Sequence, residues 1–272
     1  MTAALFPGLH AELLALLRAL APADWERPTL AGAWRVRDVV AHLLDGDLRK
    51  LSAQRDGHRL APPEATLESD AGLLQWLNEL NADWVRAAGR LSPAVLIDLL
   101  AVTGPAVAQM VASLDPFGPA LFPVAWAGES ASLHWMDIGR EYTERWHHQQ
   151  QVRDAVGAPL LNARRWLHPV LAISLRALPH RYREVTAPEG ACLAFEIAGG
   201  AGGIWSLTRE SGRWALGEGP ATSVQASVVV AEDDAWRIFF KALSPAEAAL
   251  RVRIGGDTEL AKPFLDVRAV MA

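Results

Sequence analysis

The hydrophobic residues of this chain change their period part-way along, and that change limits the folds open to it. Up to about residue 157 they recur at helical spacing; beyond about residue 185 they fall in short runs between glycine-rich turns. Leu13, Leu14, Leu16, Leu17 and Leu20 mark a first helix that stops at Ala21–Pro22. Val39, Val40, Leu43 and Leu44 line a second, from Val36 to about Arg55. Leu73, Leu74, Leu77, Leu80 and Trp84 give a third that ends near Gly89. Pro93 suits an early helical position, and Val95, Leu96, Leu99 and Leu100 continue a fourth helix that Gly104–Pro105 should kink or end. After a loop over Asp115–Gly128, a long helix is expected from about Ser130 to Val156, stopped by Gly157 with Pro159 just beyond.

The second texture predicts strands over Ala191–Ile197, Gly203–Arg209, Arg213–Gly217, Val224–Val230 and Arg251–Ile254. Helices are expected over Asp234–Leu243 and Thr258–Val270, with Arg165–Leu178 as a helical bridge between the two textures. Gly199–Gly203 joins two strands and reads as a turn; no Lys-Ser/Thr follows it, so it has no phosphate-loop character. Such a switch marks a domain boundary. The expectation is an α+β two-domain chain, with a helical bundle over residues 1–160 and a smaller mixed α/β domain over residues 161–272.

Across 272 residues, 51% hydrophobic and 21% charged, there is material for packed cores, which excludes a disordered chain. A net charge of -5 gives no general attraction to polyphosphate, so no nucleic-acid partner is expected. Cys192 is the single cysteine and reads as a strand-core residue. Neither an intramolecular disulfide nor a cysteine-rich metal site is then possible, and any metal must be held by His, Glu and Asp. Met1–Leu20 lacks a basic leader and carries charge in its apolar stretch, so it reads as an amphipathic helix and not a signal peptide. Leu91–Leu114 is interrupted by Pro93, Asp98, Gly104–Pro105 and Gln109, which argues against a membrane span. A cytoplasmic protein without a membrane partner is expected.

Glu144 and His148 stand four apart on the long helix, on one face and one turn from each other. His42 sits in Ala41-His42-Leu43-Leu44-Asp45, inside an otherwise apolar helix. An unsatisfied polar group there costs on the order of 1–3 kcal/mol, and a metal shared with a facing helix would satisfy it. Two imidazoles and a carboxylate leave a coordination position open, the pattern of a catalytic site. The plainer alternatives stay open: Glu-x-x-x-His pairs are common by chance, and His42 alone suits a satisfied core histidine. Glu144 and His147 also form Glu-x-x-His, the motif of di-iron bundles, but the chain holds no second copy.

The stretch Trp25-x-x-Pro28-Thr29-x-x-Gly32-x-Trp34-x-Val36-x-Asp38-Val39-Val40-Ala41-His42-Leu43 resembles the opening signature of the mycothiol-dependent maleylpyruvate isomerase family, within the DinB-like superfamily. Arg140-x-x-x-Glu144-x-x-x-His148-x-x-Gln151-Val152-x-x-Ala155-x-Gly157 resembles its second metal motif, and Ile254-Gly255-Gly256-Asp257-x-x-Leu260-Ala261 is similar to the sterol-carrier-like domain that often follows. The resemblance implies a DinB-like four-helix bundle followed by a sterol-carrier-like (SCP2-like) α/β domain. It implies a divalent metal, most often zinc with Ni2+ the alternative, on His42, Glu144 and His148. It further implies a low-molecular-weight thiol (mycothiol, or bacillithiol or glutathione in relatives) and a small electrophile whose cis double bond is isomerised by thiolate addition.

The chain departs from the family pattern twice. Arg35 stands where Ser or Thr is usual, which removes the expected cap of the His42 helix, and Gln151 stands where Asp is usual. Arg49 and Arg140 are candidates to bind an acidic substrate, against the plain reading of a solvated arginine or an ion pair with Glu144. Asp38 and Asp45 lie one turn either side of His42 and are candidates to orient its ring, as Gln151 is for the other motif. A thiol S-transferase and a non-catalytic metal-binding or sensor module are the alternatives to an isomerase. The residues leave open whether the chain is a monomer or a homodimer, and name no catalytic residue beyond the ligands.

Overall fold

The computed structural model describes residues 2–61 and 70–270 of the chain. Their contacts group them into two compact units, residues 2–61, 70–121 and 133–160 in one and residues 122–132 with 161–270 in the other. The chain is thus a two-domain α+β protein, helical first and then built on a mixed sheet with helices.

The helical unit holds α1 (Phe6–Ala19), α2 (Val36–Lys50), α3 (Asp70–Ala88), α4 (Pro93–Ser113) and α5 (His134–Val156), with a π-helical turn, Leu51–Arg55, extending α2. α1 and α2 each pack on both α4 and α5, which makes a four-helix ring. α3 lies outside that ring against α2, where the Trp84 indole donates to the Ala41 carbonyl at 2.7 Å. The apolar face expected of α2 is the one it buries: Val36, Val39, Val40 and Leu44 have no exposed surface and pack with Leu13, Leu17, Leu96, Leu100 and Val152.

Local chemistry sets the helix ends. Arg35 offers no side-chain acceptor at the start of α2, but Asp38, three residues on, accepts the Arg35 N–H at 3.0 Å, which is half of a capping box. Ser92 caps α4 by accepting from the Val95 N–H at 3.3 Å. α5 begins at His134, four residues later than about Ser130, and ends where Gly157 takes the left-handed conformation at φ 69°.

α4 does not end at Gly104–Pro105. A residue before proline is normally driven out of the helical region by a clash involving its Cβ, and Gly104 has none, so the helix runs through. Unbroken, α4 is long and apolar enough to cross a membrane by length and composition, which corrects the reading of its interruptions. In the bundle it is a packing helix, with Leu96, Leu100, Val107, Met110 and Val111 buried.

The second unit contains a five-stranded sheet ordered β3-β2-β1-β4-β5, with β1 (Cys192–Ala198), β2 (Gly203–Glu210), β3 (Arg213–Glu218), β4 (Ala226–Ala231) and β5 (Arg253–Gly256). β1 and β4 are parallel and every other neighbour pair is antiparallel. Leu193, Phe195 and Ile197 point inward while Glu196 and Ala198 are exposed, the alternation of a sheet covered on one side. Phe195 meets Phe264 and Tyr182 on that inner face. Cys192 is buried and accepts from the Thr208 hydroxyl at 3.5 Å.

The helices of this unit are α6 (Arg164–Ser174), α7 (Leu178–Arg181), α8 (Glu232–Phe239), α9 (Pro245–Ala249) and α10 (Thr258–Ala261). Two differences from the sequence expectations have local causes. α9 has no counterpart among the expected helices, although Ser244 and Glu247 form a reciprocal capping box. The closing helix stops at Ala261 and tightens to a 3-10 turn over Lys262–Asp266, because Pro263 has no N–H to continue the ladder. Residues 122–132 group with the second unit, where the turn Ala125–Ala127 packs on α7 and Trp126 is buried.

Candidate metal centre

The loop ahead of α2 is a compact turn built by the residues of the Trp25–Val36 stretch. The Thr29 hydroxyl donates to the Trp34 carbonyl at 2.8 Å and accepts from the Ala31 N–H at 3.1 Å, and Gly32 takes the left-handed conformation at φ 63°. Val36 N–H donates to Arg27 O at 3.0 Å and closes the loop. The result sets the Trp34 ring 5.0 Å from the His42 ring and 6.5 Å from that of His148.

His42 on α2 and Glu144 and His148 on α5 converge. Each offers a donor atom, and the three atoms lie within 4.8 Å of one another. Glu144 Oε1 is 3.2 Å from His42 Nε2 and 3.0 Å from His148 Nε2. Both imidazole side chains are buried, while the Glu144 side chain keeps 39% of its surface exposed and so gives the triad one side open to small molecules. His148 Nδ1 donates to Gln151 Oε1 at 2.8 Å, which leaves its Nε2 as a lone pair aimed at the carboxylate. Two acceptors facing each other at that distance is the arrangement a cation relieves. The donor set therefore fits a divalent ion of the kind that two imidazoles and a carboxylate hold.

The electrostatics agree with that fit. Burial pushes His42 below its ordinary value, with the hydrogen bond to Glu144 opposing, so the ring is kept as the neutral form a metal needs. Burial pushes Glu144 up, but the neighbouring His148, His147 and His42 rings outweigh it and hold the carboxyl well below its usual range. His147, pushed down to about 3 by burial and then by His148, bonds the Thr143 carbonyl at 3.2 Å and lies outside the triad.

A family model described as the mycothiol maleylpyruvate isomerase N-terminal domain matches residues 6–153, which span every residue of this centre. The chain belongs to this family. Two similar solved structures are a crystal structure of the mycothiol-dependent maleylpyruvate isomerase and one of a histidine-to-alanine mutant of it. Each is 12% identical, covers 94% of this chain and 92% of its own, and superposes with a TM-score of 0.53, a likeness of fold. No curated protein matches the sequence.

Within this member of the mycothiol maleylpyruvate isomerase family, the other candidate residues fall in distinct places. Gln151 stands directly behind His148. Asp45 is buried, which pushes its carboxyl up against the opposing charge of Arg49, and it pairs with Arg49 at 2.9 Å. Arg49 also donates to Asn81 at 3.0 Å and keeps 43% of its side chain exposed. Asp38 is engaged by the Arg35 N–H at the start of α2. Arg140 is held by Asp137, one turn before Glu144.

Two groups escaped the sequence reading. Trp34 belongs to a signature in the sequence and forms a wall of the centre in the fold; its place depends on a loop closure that has no helical or strand period. Hydrophobic periodicity ignores charged residues and so does not point to Lys50, Asp137, Glu141 and Arg145. A signal existed, since Asp137, Glu141, Glu144 and His148 recur four, three and four residues apart, the spacing of a buried stripe.

Proposed function

We propose that this chain is a divalent-metal-dependent, low-molecular-weight-thiol-dependent isomerase acting on a small cis electrophile of the maleylpyruvate type. The observation that carries the reading is the convergence of His42, Glu144 and His148 with one half-exposed donor, in a chain whose helical unit belongs to the mycothiol maleylpyruvate isomerase family. His42, Glu144 and His148 are the residues proposed to hold the metal, zinc in the first instance. The bound metal and thiol supply an acidified S–H and its reversible addition to a conjugated double bond, which permits rotation and returns the thiol unchanged.

The chain's own residues have separate tasks. Gln151 fixes the His148 tautomer, so that Nε2 presents a lone pair. Trp34 covers the imidazoles with an apolar ring and limits water on that side. Arg49, half-exposed on the face of α2 that carries His42, is the proposed counter-charge for a substrate carboxylate, held in place by Asp45 and Asn81.

The test is turnover of maleylpyruvate by metal-loaded protein with and without mycothiol, alongside metal content by mass spectrometry for wild type and the His42→Ala, His148→Ala double variant. About one ion per chain, lost in the double variant, with thiol-dependent formation of the trans product, is the expected result. A stable thioether product would make the protein an S-transferase. Bound metal with no turnover would make it a sensor or binding module.

A further inference from the structure

The stripe Asp137, Glu141, Glu144 and His148 runs along α5, where a bundle helix normally presents apolar side chains. It meets α2 at two places. At one, His42 faces Glu144 and His148. At the other, the Lys50 ammonium lies 2.7 Å from Asp137 Oδ2 and 3.8 Å from Glu141 Oε2. Lys50 follows His42 by eight residues, while Asp137 and Glu141 precede Glu144 and His148 by seven each. The two places are therefore the same arrangement repeated two turns along an antiparallel pair. One is completed by a cation the protein carries; the other fits a cation taken from solution.

The Lys50 place is tied in further. Arg145 on α5 pairs with Asp47 on α2 and, at 3.0 Å, with Glu141. Asp47 also accepts the hydroxyl of Thr103 on α4 at 2.6 Å. Asp47 and Asp137 have fully buried side chains, and Lys50 keeps 10% of its own exposed. An apolar seam tolerates a slip of one turn, about 5.4 Å, because one branched side chain replaces another. This seam does not, since a slip would part the buried Asp47 of α2 from Arg145 and the Lys50 ammonium from Asp137 and Glu141, leaving charges of α2 buried without partners.

We propose that Lys50 is a positioning residue: its ammonium, held between Asp137 and Glu141, fixes the register of α2 on α5 and so sets His42 opposite Glu144 and His148. The proposal rests on the metal reading of that triad. It goes beyond it by assigning a register function to a buried ion ladder that touches neither metal nor substrate.

The test is zinc affinity of the metal-depleted full chain, by competition with a chromophoric chelator, for wild type, Lys50→Met, Lys50→Arg and Val111→Ala. Thermal midpoints by circular dichroism are measured beside it. Val111 is a buried α4 residue outside the seam, so its variant reports what loss of core packing alone does. Lys50→Met is expected to weaken zinc binding about tenfold or more, and Lys50→Arg to restore most of it. Val111→Ala is expected to lower the midpoint while staying within about twofold of wild-type affinity. A folded Lys50→Met that binds zinc within twofold of wild type overturns the proposal, as does an equal loss in Val111→Ala. If Lys50→Met does not fold, Lys50→Gln is read by the same criteria. Wild type that binds no zinc is a separate outcome: it removes the metal reading, and the proposal with it.

Discussion

Gln151 Oε1 accepts the Nδ1–H of His148 at 2.8 Å, from the next turn of the same helix. This contact decides which ring nitrogen is left for a metal, and a neutral amide does so without adding charge behind the imidazole. Gln151→Leu, similar in size at a site only 4% exposed, should weaken zinc binding roughly 10–100-fold with little change in fold. Gln151→Asp should strengthen it, since a carboxylate raises the basicity of the ring. Chelator competition gives both values, and an unaffected Gln151→Leu would show that His148 needs no support.

Metal binding should resist mild acid. Burial, the largest influence, pushes His42 below the ordinary 6.5, and Glu144 is held well below the carboxylate range. Protons compete with metal only once they bind these donors. Zinc affinity should therefore hold nearly level as pH falls to about 6.5, the ordinary histidine value, and decline below it. Titrations across that range test this; a steep fall beginning above about pH 7 would contradict it.

The metal-free protein should lose stability in acid partly through His147. Burial, then the neighbouring His148, brings this ring down to about 3 from an ordinary 6.5. Between those values the unfolded chain binds a proton that the folded chain does not, so the contribution is complete above 6.5 and is lost as pH falls toward 3. Glu144, also depressed, acts in the same direction. Thermal midpoints measured with chelator should fall through this window, and His147→Gln should flatten the slope. Parallel slopes for the two proteins would refute the assignment.

Gly104→Ala should destabilise the bundle even though alanine is the better helix former. A Cβ there would run into the His10 ring, and a Cβ before proline is crowded by the proline ring in a helix. Overpacking of this kind costs about 1–3 kcal/mol, against a propensity gain of roughly 1 kcal/mol. Chemical denaturation measures the net effect. His10→Ala in the same chain should return part of the loss; a Gly104→Ala protein more stable than wild type would mean that His10 moves aside freely.

What depends on neighbours along the chain is legible in the amino-acid order. The helical period of Val36 to Lys50, the stop of α5 at Gly157 and the shared face of Glu144 and His148 follow from backbone geometry repeated every few residues. Where local chemistry was overlooked, as at Ser244 and Glu247 or at Pro263, the signal was still in the letters. That His42 meets a carboxylate 102 residues away, that Trp34 lies over it, and that Lys50 answers Asp137 rather than solvent all follow from how the helices pack. Periodicity says which face of a helix is buried and is silent about which helix it is buried against. That choice is made by the packing of the whole core and, along α2 and α5, by buried charges that have one register in which all of them are paired.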